Sequence, residues 1–419
     1  MSSPSQIPSQ VPEGLPLSPQ QRRLWLLQQE SCAYQAQCSI LIQGELNRER
    51  LKNALNQLVD FHQILRTAFQ FTPGFKIPSQ VVLDSCPPAW REIDLSGCSG
   101  AQQKEQMDSL IRLQRSSPFD LQQGPLVRAV LLILAKQKHL LVLTLPSLCA
   151  DAWALRTLVR EIGNRYQTGI QKEDPGDTLQ YAQFSEWQNA LLEEEDATEG
   201  EVFWRQYDCS QFDGLPLPFE SRPKALQKPE MDWLPLPFNP ELGWEIESAA
   251  VGSGVPAFVF LTACWQALFW RLTGQSEIVV GVASDGREHE MLFETMGLFA
   301  RWLPLRLSFK SGFRLQDLLT LADQSWREAC EWQDYFLPEG DGSEEEAPYF
   351  SLGFEALEQP AGRLSDGVNL SLLWHSSCYE RFHLKLVCLQ GQEGLSFELH
   401  YDASRFQRDD LHRLSGQFL

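Results

Sequence analysis

The stretch Leu141–Tyr166, "LVLTLPSLCADAWALRTLVREIGNRY", changes character in its middle. It opens as an apolar run with the residue choice of a buried strand. It closes as an amphipathic helix: Leu155, Leu158, Val159, Ile162 and Tyr166 share one face, while Arg156, Arg160 and Glu161 lie elsewhere. Between the two, Pro146-Ser147-Leu148-Cys149-Ala150-Asp151 forms a strand-to-helix turn. Pro146 lacks a backbone donor and has a fixed φ, which suits a strand end. Asp151 falls where an N-cap or first-turn carboxylate meets the helix dipole, worth ~0.5–2 kcal/mol. The turn offers a hydroxyl, a thiol and a carboxylate but no imidazole. A serine needs a base beside it to act as a nucleophile. No histidine is near Cys149 in sequence, so that residue reads as a small core side chain.

Working outward, two strands precede the turn, "LVRAVLLIL" and "HLLVLTL", joined by "AKQK". Upstream, a helix is expected over about 19–29. A strand follows in "CSILIQGEL", then an Asn47-capped helix with Leu51, Leu55, Leu58 and Phe61 near helical spacing, and short strands at "RTAFQF" and "SQVVL". Another helix is expected at about 102–114. Downstream, residues 171–178 are polar and contain Pro175-Gly176, as a linker between lobes would. A helix follows in "LQYAQFSEWQNALLEEEDATEGEVFWRQY", then an irregular proline-rich stretch over 214–240. Next come the apolar helix "VPAFVFLTACWQALFWRLTG", strands "EIVVGVAS" and "RWLPLRLSF", a helix at 314–332, an acidic loop "PEGDGSEEEAP", and strands near 349–355, 382–389 and 395–401. The intermixing predicts an α/β (α+β) protein of two lobes. Residues 1–13 form a disordered lead, 14–170 the N-terminal lobe, 171–178 the linker and 179–419 the C-terminal lobe.

Composition excludes several classes. The 419 residues are 43% hydrophobic, enough for a large core. A net charge of −20 argues against nucleic acid or an anionic membrane as partner. No apolar run reaches the ~18–20 residues that span a bilayer, and the polar start is not a signal peptide. The ten cysteines include no CxxC pair and no zinc spacing, which predicts no metal and a reduced, cytoplasmic setting.

Seven segments in order resemble the condensation-domain superfamily of nonribosomal peptide synthetases. "LPLSPQQRRLWLL" carries Ser18, Gln21, Arg23 and Trp25; "FHQILRTAF" carries His62, Leu65, Arg66 and Thr67; "YAQFSEWQ" carries Tyr181, Phe184 and Trp187. "GVASDGR" supplies Gly281, Gly286 and Arg287, and "MGLFARWLPLR" supplies Gly297, Phe299, Leu303, Pro304 and Arg306. "WQDYFLPEG" and the terminal "YDASRFQRDDLHRLSGQFL" complete the set, so the resemblance runs from about residue 14 to 419. It implies two chloramphenicol-acetyltransferase-like lobes in a V, with a tunnel between them. Peptidyl or acyl carrier proteins and adjacent synthetase domains would be partners. The phosphopantetheine arm of a carrier would deliver the chain, and no cofactor would be bound by the domain itself.

The family's HHxxxDG motif falls on Pro146, Ser147, Asp151 and Ala152. Only the aspartate survives. The second histidine, on which family mechanisms rely, is Ser147 here. An imidazole titrating near about 6.5 accepts a proton at neutral pH, and a lone hydroxyl does not. Pro146 and the missing histidine also exclude the heterocyclising and epimerising relatives. The resemblance implies that Asp151 is structural and paired with Arg287, and that Ser147, Cys149, Trp153, Phe299, Arg301 and Trp302 line the tunnel. Arg301 and Trp302 stand where relatives often keep a small polar asparagine and a threonine. His62, His375, His383 and His400 are the remaining candidates for a replacement base. The expected function is a non-condensing domain that docks a carrier protein or a trans-acting tailoring enzyme. The alternative is an enzyme that condenses by positioning, or eliminates or dehydrates, on a carrier-bound chain without the usual base. The chain is further expected to begin its polypeptide and to stop at a boundary inside a larger multidomain enzyme.

Overall fold

The computed structural model describes residues 14–28, 34–71, 76–168, 178–194, 197–207, 214–221, 230–310, 312–337 and 350–419. The lead at 1–13, nearly all of the expected linker and the acidic loop at 338–348 lie outside these. In chain order the first half runs α1 (Pro19–Gln28), β1 (Gln35–Gln43), α2 (Arg48–Phe61), β2 (Thr67–Gln70), β3 (Ser79–Val82), β4 (Ala89–Asp94), α3 (Gly100–Ser116), β5 (Arg128–Ala135), β6 (Lys138–Pro146) and α4 (Ala152–Thr168). The second half runs α5 (Tyr181–Glu193), α6 (Ala197–Arg205), β7 (Met231–Leu236), α7 (Pro240–Ser253), α8 (Ala257–Thr273), β8 (Glu277–Ser284), β9 (Arg301–Ser308) and α9 (Leu315–Glu331). It finishes with β10 (Phe350–Glu358), β11 (Arg363–Ser365), β12 (Val368–Ser377), β13 (Phe382–Gly391), β14 (Gly394–Asp402) and α10 (Arg408–Phe418).

The strands form two six-stranded sheets, ordered β11-β12-β1-β6-β5-β4 and β7-β14-β13-β10-β8-β9, with β2 and β3 as a separate ribbon. Strands β5 and β6 show why a continuous apolar run is required. Ala129, Leu131, Leu141, Leu143 and Leu145 face the main core. The alternating Val130, Leu132, Leu134, Leu140 and Val142 form a second cluster with Met107, Leu110 and Ile111 of α3. A capping box closes the start of α3, with Ser99 and Gln102 bonding each other's backbone. Asn47 caps α2, its side chain accepting from the Arg50 amide.

Besides α7 and β11, which the sequence reading does not contain, four departures bear on the architecture. Strand β4 was hidden because its side chains are mostly exposed. Strand β7 lies inside the stretch read as irregular, where it pairs with β14 through Leu234 and Leu236. The long helix after the linker is two helices, α5 ending with its C-cap at Glu194 and α6 starting at Ala197. The fourth departure alters the domain division. Strand β12, late in the chain, pairs antiparallel with β1, placing Ser377 against Ala36 and Asn369 against Gln43. Residues 363–377, expected in the second lobe, therefore complete the first sheet. Strand β1 would otherwise be an open edge, and Val368, Leu370 and Leu372 bury one face of β12 upon it. No single helix among the described residues is long and apolar enough to cross a membrane.

Candidate functional site

The turn after β6 is held from three sides. Gln21 of α1, fully buried, donates to the Leu148 carbonyl at 3.0 Å and to Gln80 Oε1 at 3.2 Å. The Ser147 amide donates to the Tyr34 carbonyl at 3.2 Å, and the Asp151 amide to the Gly297 carbonyl at 3.3 Å. Nearby, the Ser18 and Tyr181 hydroxyls are 2.7 Å apart, and Tyr181 donates to the Leu298 carbonyl at 2.6 Å. Three of the quoted segments, far apart in sequence, thus meet at one place.

Asp151 is the hub. Its Oδ1 accepts from the Ala154 amide at 2.8 Å, which caps α4, and from Arg287 Nη2 at 3.2 Å. Its Oδ2 accepts from Arg287 Nη1 at 2.8 Å and from the Phe299 and Ala300 amides at 2.9 and 3.1 Å. Both side chains of the ion pair are 0% exposed. The guanidinium also lies over the Phe299 ring, 4.3 Å from its centroid. Removing one partner of such a pair strands a buried charge, at a cost of about 3–5 kcal/mol. With every carboxylate lone-pair direction engaged, the group fixes α4 against the 286–300 segment.

Ser147 is also 0% exposed. Its hydroxyl lies 3.5 Å from the Ser377 hydroxyl, which donates to the Ala150 carbonyl at 3.1 Å. Cys149 is enclosed, and burial pushes its thiol well above the usual range, so it carries no thiolate. Pro146 ends β6 opposite Gln35.

Two cavities approach this region. The larger, about 670 Å³, is lined by Asp151, Ala152, Trp153, Arg156, Asp285, Glu288, Glu355 and apolar side chains that include Phe258, Leu261 and Trp326. The smaller, about 50 Å³, is lined by Gln20, Arg23, Arg301 and Trp302 among others. Ala300 and Tyr379 belong to both walls. Of the residues expected to line a tunnel, Trp153, Arg301 and Trp302 do line a cavity. Ser147, Cys149 and Phe299 do not: each is 0% exposed. Ser377 covers Ser147, and Phe299 turns its ring between Tyr181, at 5.1 Å, and Phe184, at 4.4 Å.

Arg301 is buried against Asp334, 2.9 Å away, and also bonds the Gln333 carbonyl. Trp302 packs edge-on to Phe382 at 4.3 Å, with Lys385 Nζ 5.3 Å from its ring. None of the four candidate histidines lines either cavity. His62 is paired with Glu161 at 3.1 Å, His383 with Glu220 at 2.9 Å and His400 with Glu398 at 2.8 Å. His375 is 2% exposed, and burial, helped by the charge on Arg156, lowers its pKa to about 4. Tyr379, at the junction of the two cavities, was not singled out from the sequence. No spacing rule marks it, since it reaches the junction only because β12 crosses to the first sheet.

The sequence profile of the condensation domain matches residues 12–419. The chain belongs to the condensation-domain family. Surfactin synthase subunit 2 of Bacillus subtilis is 30% identical over 331 residues, 78% of this chain, and the chain spans only 9% of that relative's length. Among solved structures, the first condensation domain of the calcium-dependent antibiotic synthetase superposes with a TM-score of 0.79 at 20% identity, covering 98% of this chain and 95% of the other. The X-domain seen in complex with OxyB from teicoplanin biosynthesis gives 0.79 at 20% identity, over 100% and 94%. This condensation domain thus has the mixed helix-and-sheet fold of two chloramphenicol-acetyltransferase-like lobes. Among the described residues, no cluster of His, Cys, Asp or Glu has the geometry to hold a metal ion.

Proposed function

We propose that this condensation domain does not form amide bonds and works as a docking platform in a nonribosomal peptide synthetase, recruiting a carrier protein or a trans-acting tailoring enzyme. The observation that carries the reading is Ser147. At the position where the family places its histidine base stands a hydroxyl that is 0% exposed and faces another serine. A neutral hydroxyl with no base beside it cannot take a proton from an attacking amine. The histidines elsewhere line neither cavity. That another protein of this fold, the X-domain, is seen in complex with OxyB supports a recruiting role. So does the exposed Phe293, whose ring packs 5.5 Å from that of Trp153 in the wall of the larger cavity.

The second reading, chemistry on a carrier-bound chain without the histidine, rests on the 670 Å³ cavity that reaches Asp151 and Ala152. A reaction with two loaded carrier proteins, followed by intact mass, separates the two. The expected result is no condensed product from the wild type. Restoring the motif with Pro146→His and Ser147→His is also expected to give none, because an imidazole at position 147 has no cavity to enter. Product from the wild type would overturn the platform reading. Product from the double variant alone would show that only the base had been lost.

A further inference from the structure

Arg306 ends one of the ordered segments, yet it touches neither the turn nor the two cavities beside it. It lies on β9, the edge strand of the second sheet. With Lys310, four residues on, it lines a third cavity of about 420 Å³, between the end of α6, the end of β9 and one side of α9. No residue of that wall belongs to either cavity beside the turn.

The chain carries 35 lysines and arginines against 55 acidic residues, so its cations have carboxylates to spare. These two take none: among the described residues neither Arg306 nor Lys310 makes an ion pair. The Arg306 guanidinium lies over the Tyr207 ring, 5.0 Å from its centroid, which orients it without neutralising it. Of its five N–H donors one makes a bond, a long one of 3.4 Å from Nη2 to the Gln206 carbonyl. Two carboxylates are near and both are engaged elsewhere. Glu328, in the same wall, accepts from Gln324 at 2.8 Å. Glu277, which shares an adjoining hollow with Lys310, accepts from the Ser308 hydroxyl at 3.0 Å. The wall also carries apolar surface, from half-buried Phe313 and from Leu321, which is left 40% exposed.

We propose that this cavity is a separate ligand site, for a phosphate monoester that carries an apolar body. Its volume lies within the ~300–1,000 Å³ of small-molecule sites. Two unpaired cations match the two charges such an ester bears above about pH 6, and guanidinium and ammonium groups both hold phosphate oxygens. A carboxylate would bring one charge only. Phe313 and Leu321 cover the body of the ligand. The inference is independent of the platform reading, since the site shares no residue with the turn. The step is binding alone; no bond is made or broken.

Calorimetry on the full chain with phenyl phosphate at pH 8 tests this. One equivalent is expected to bind. Lys310 is exposed, so Lys310→Ala leaves the fold intact and should weaken binding about tenfold, the loss of one charged hydrogen bond. Arg306→Gln should do the same, with its fold checked by circular dichroism; the Lys310 variant decides the matter if that one does not fold. Benzoate, with one charge, and inorganic phosphate, with no ring, should each bind more weakly. Affinity for phenyl phosphate should fall below about pH 6, where the ester takes up its second proton. No saturable binding, unchanged affinity in Lys310→Ala, or benzoate bound as tightly as phenyl phosphate would overturn the proposal. So would an equal loss in Lys104→Ala, on the exposed side of α3, since that would reduce the effect to bulk charge.

Discussion

His375 and Asp151 show opposite ways of burying a titratable residue. Asp151 is fully enclosed but meets five donors, so its charge is held in place. His375 is enclosed with neither ring nitrogen hydrogen-bonded among the described residues, and it feels the charges of Arg156 of α4 and Glu398 of β14. Its folded pKa of about 4 lies below the ordinary 6.5. The unfolded chain therefore binds a proton in that window while the folded chain does not. Its contribution is fully present above about pH 6.5 and is lost as pH falls toward 4. The variant His375→Leu keeps the burial and removes the titration. Between neutral pH and about pH 5 it should lose about 2 kcal/mol less stability than the wild type. Urea denaturation at both pH values checks this, and identical pH dependence would contradict it. Of these residues, the spacing of the turn pointed directly to Asp151. The burial of His375 was invisible, because a histidine on an apolar strand looks the same whether its face is covered or not.

At the scale of elements, two turns hold the site together where α4 and α5 meet the segment after β8. Gly286 has φ +65°, and a Cβ there would sit 2.2 Å from the Phe299 carbonyl oxygen. Gly297 approaches the Tyr181 ring so closely that a Cβ would lie 1.9 Å from it. Tyr181 is buried and bonded on both sides, to Ser18 and Leu298, so it cannot yield. Gly297→Ala should therefore cost more than ~2 kcal/mol and loosen the start of α4, whose Asp151 amide donates to the Gly297 carbonyl. Denaturant unfolding measures the first effect and amide exchange at Asp151 the second; a near-neutral substitution would refute the packing argument. Both glycines stood out as members of ordered segments, but the reason for them did not. Contact between a glycine and an aromatic ring 116 residues earlier in the chain is a tertiary fact. Regular elements were legible where burial imposed a period, as in β5, β6 and α2. They were missed where an element was exposed, as in β4, or where a long charged helix broke in two, as in α5 and α6.

Across the whole molecule, β12 stitches the halves. It leaves the second sheet after β10, pairs along β1, and returns to the second sheet as β13. Most core residues of both lobes belong to one contiguous cluster. Two consequences follow. The intact chain should unfold in a single cooperative transition by circular dichroism and by tryptophan fluorescence alike. A fragment of residues 14–178, the expected first lobe with its linker, should fail to fold alone, since it would expose the β1 edge and the apolar face that β12 covers. A dispersed amide spectrum from that fragment would disprove this.

The sequence by itself determined the family, the order of its segments, the position of the strand-to-helix turn and the replacement of its histidine by Ser147. These are local properties, carried by residue type and short spacing. Only the tertiary structure decided that Ser147 is sealed against Ser377, 230 residues away, that Arg301 is spent on Asp334, and that Tyr379 lines both cavities. Those outcomes depend on which distant segments share a wall. That is set by packing between strands and helices far apart in the chain, and no short stretch of sequence contains it.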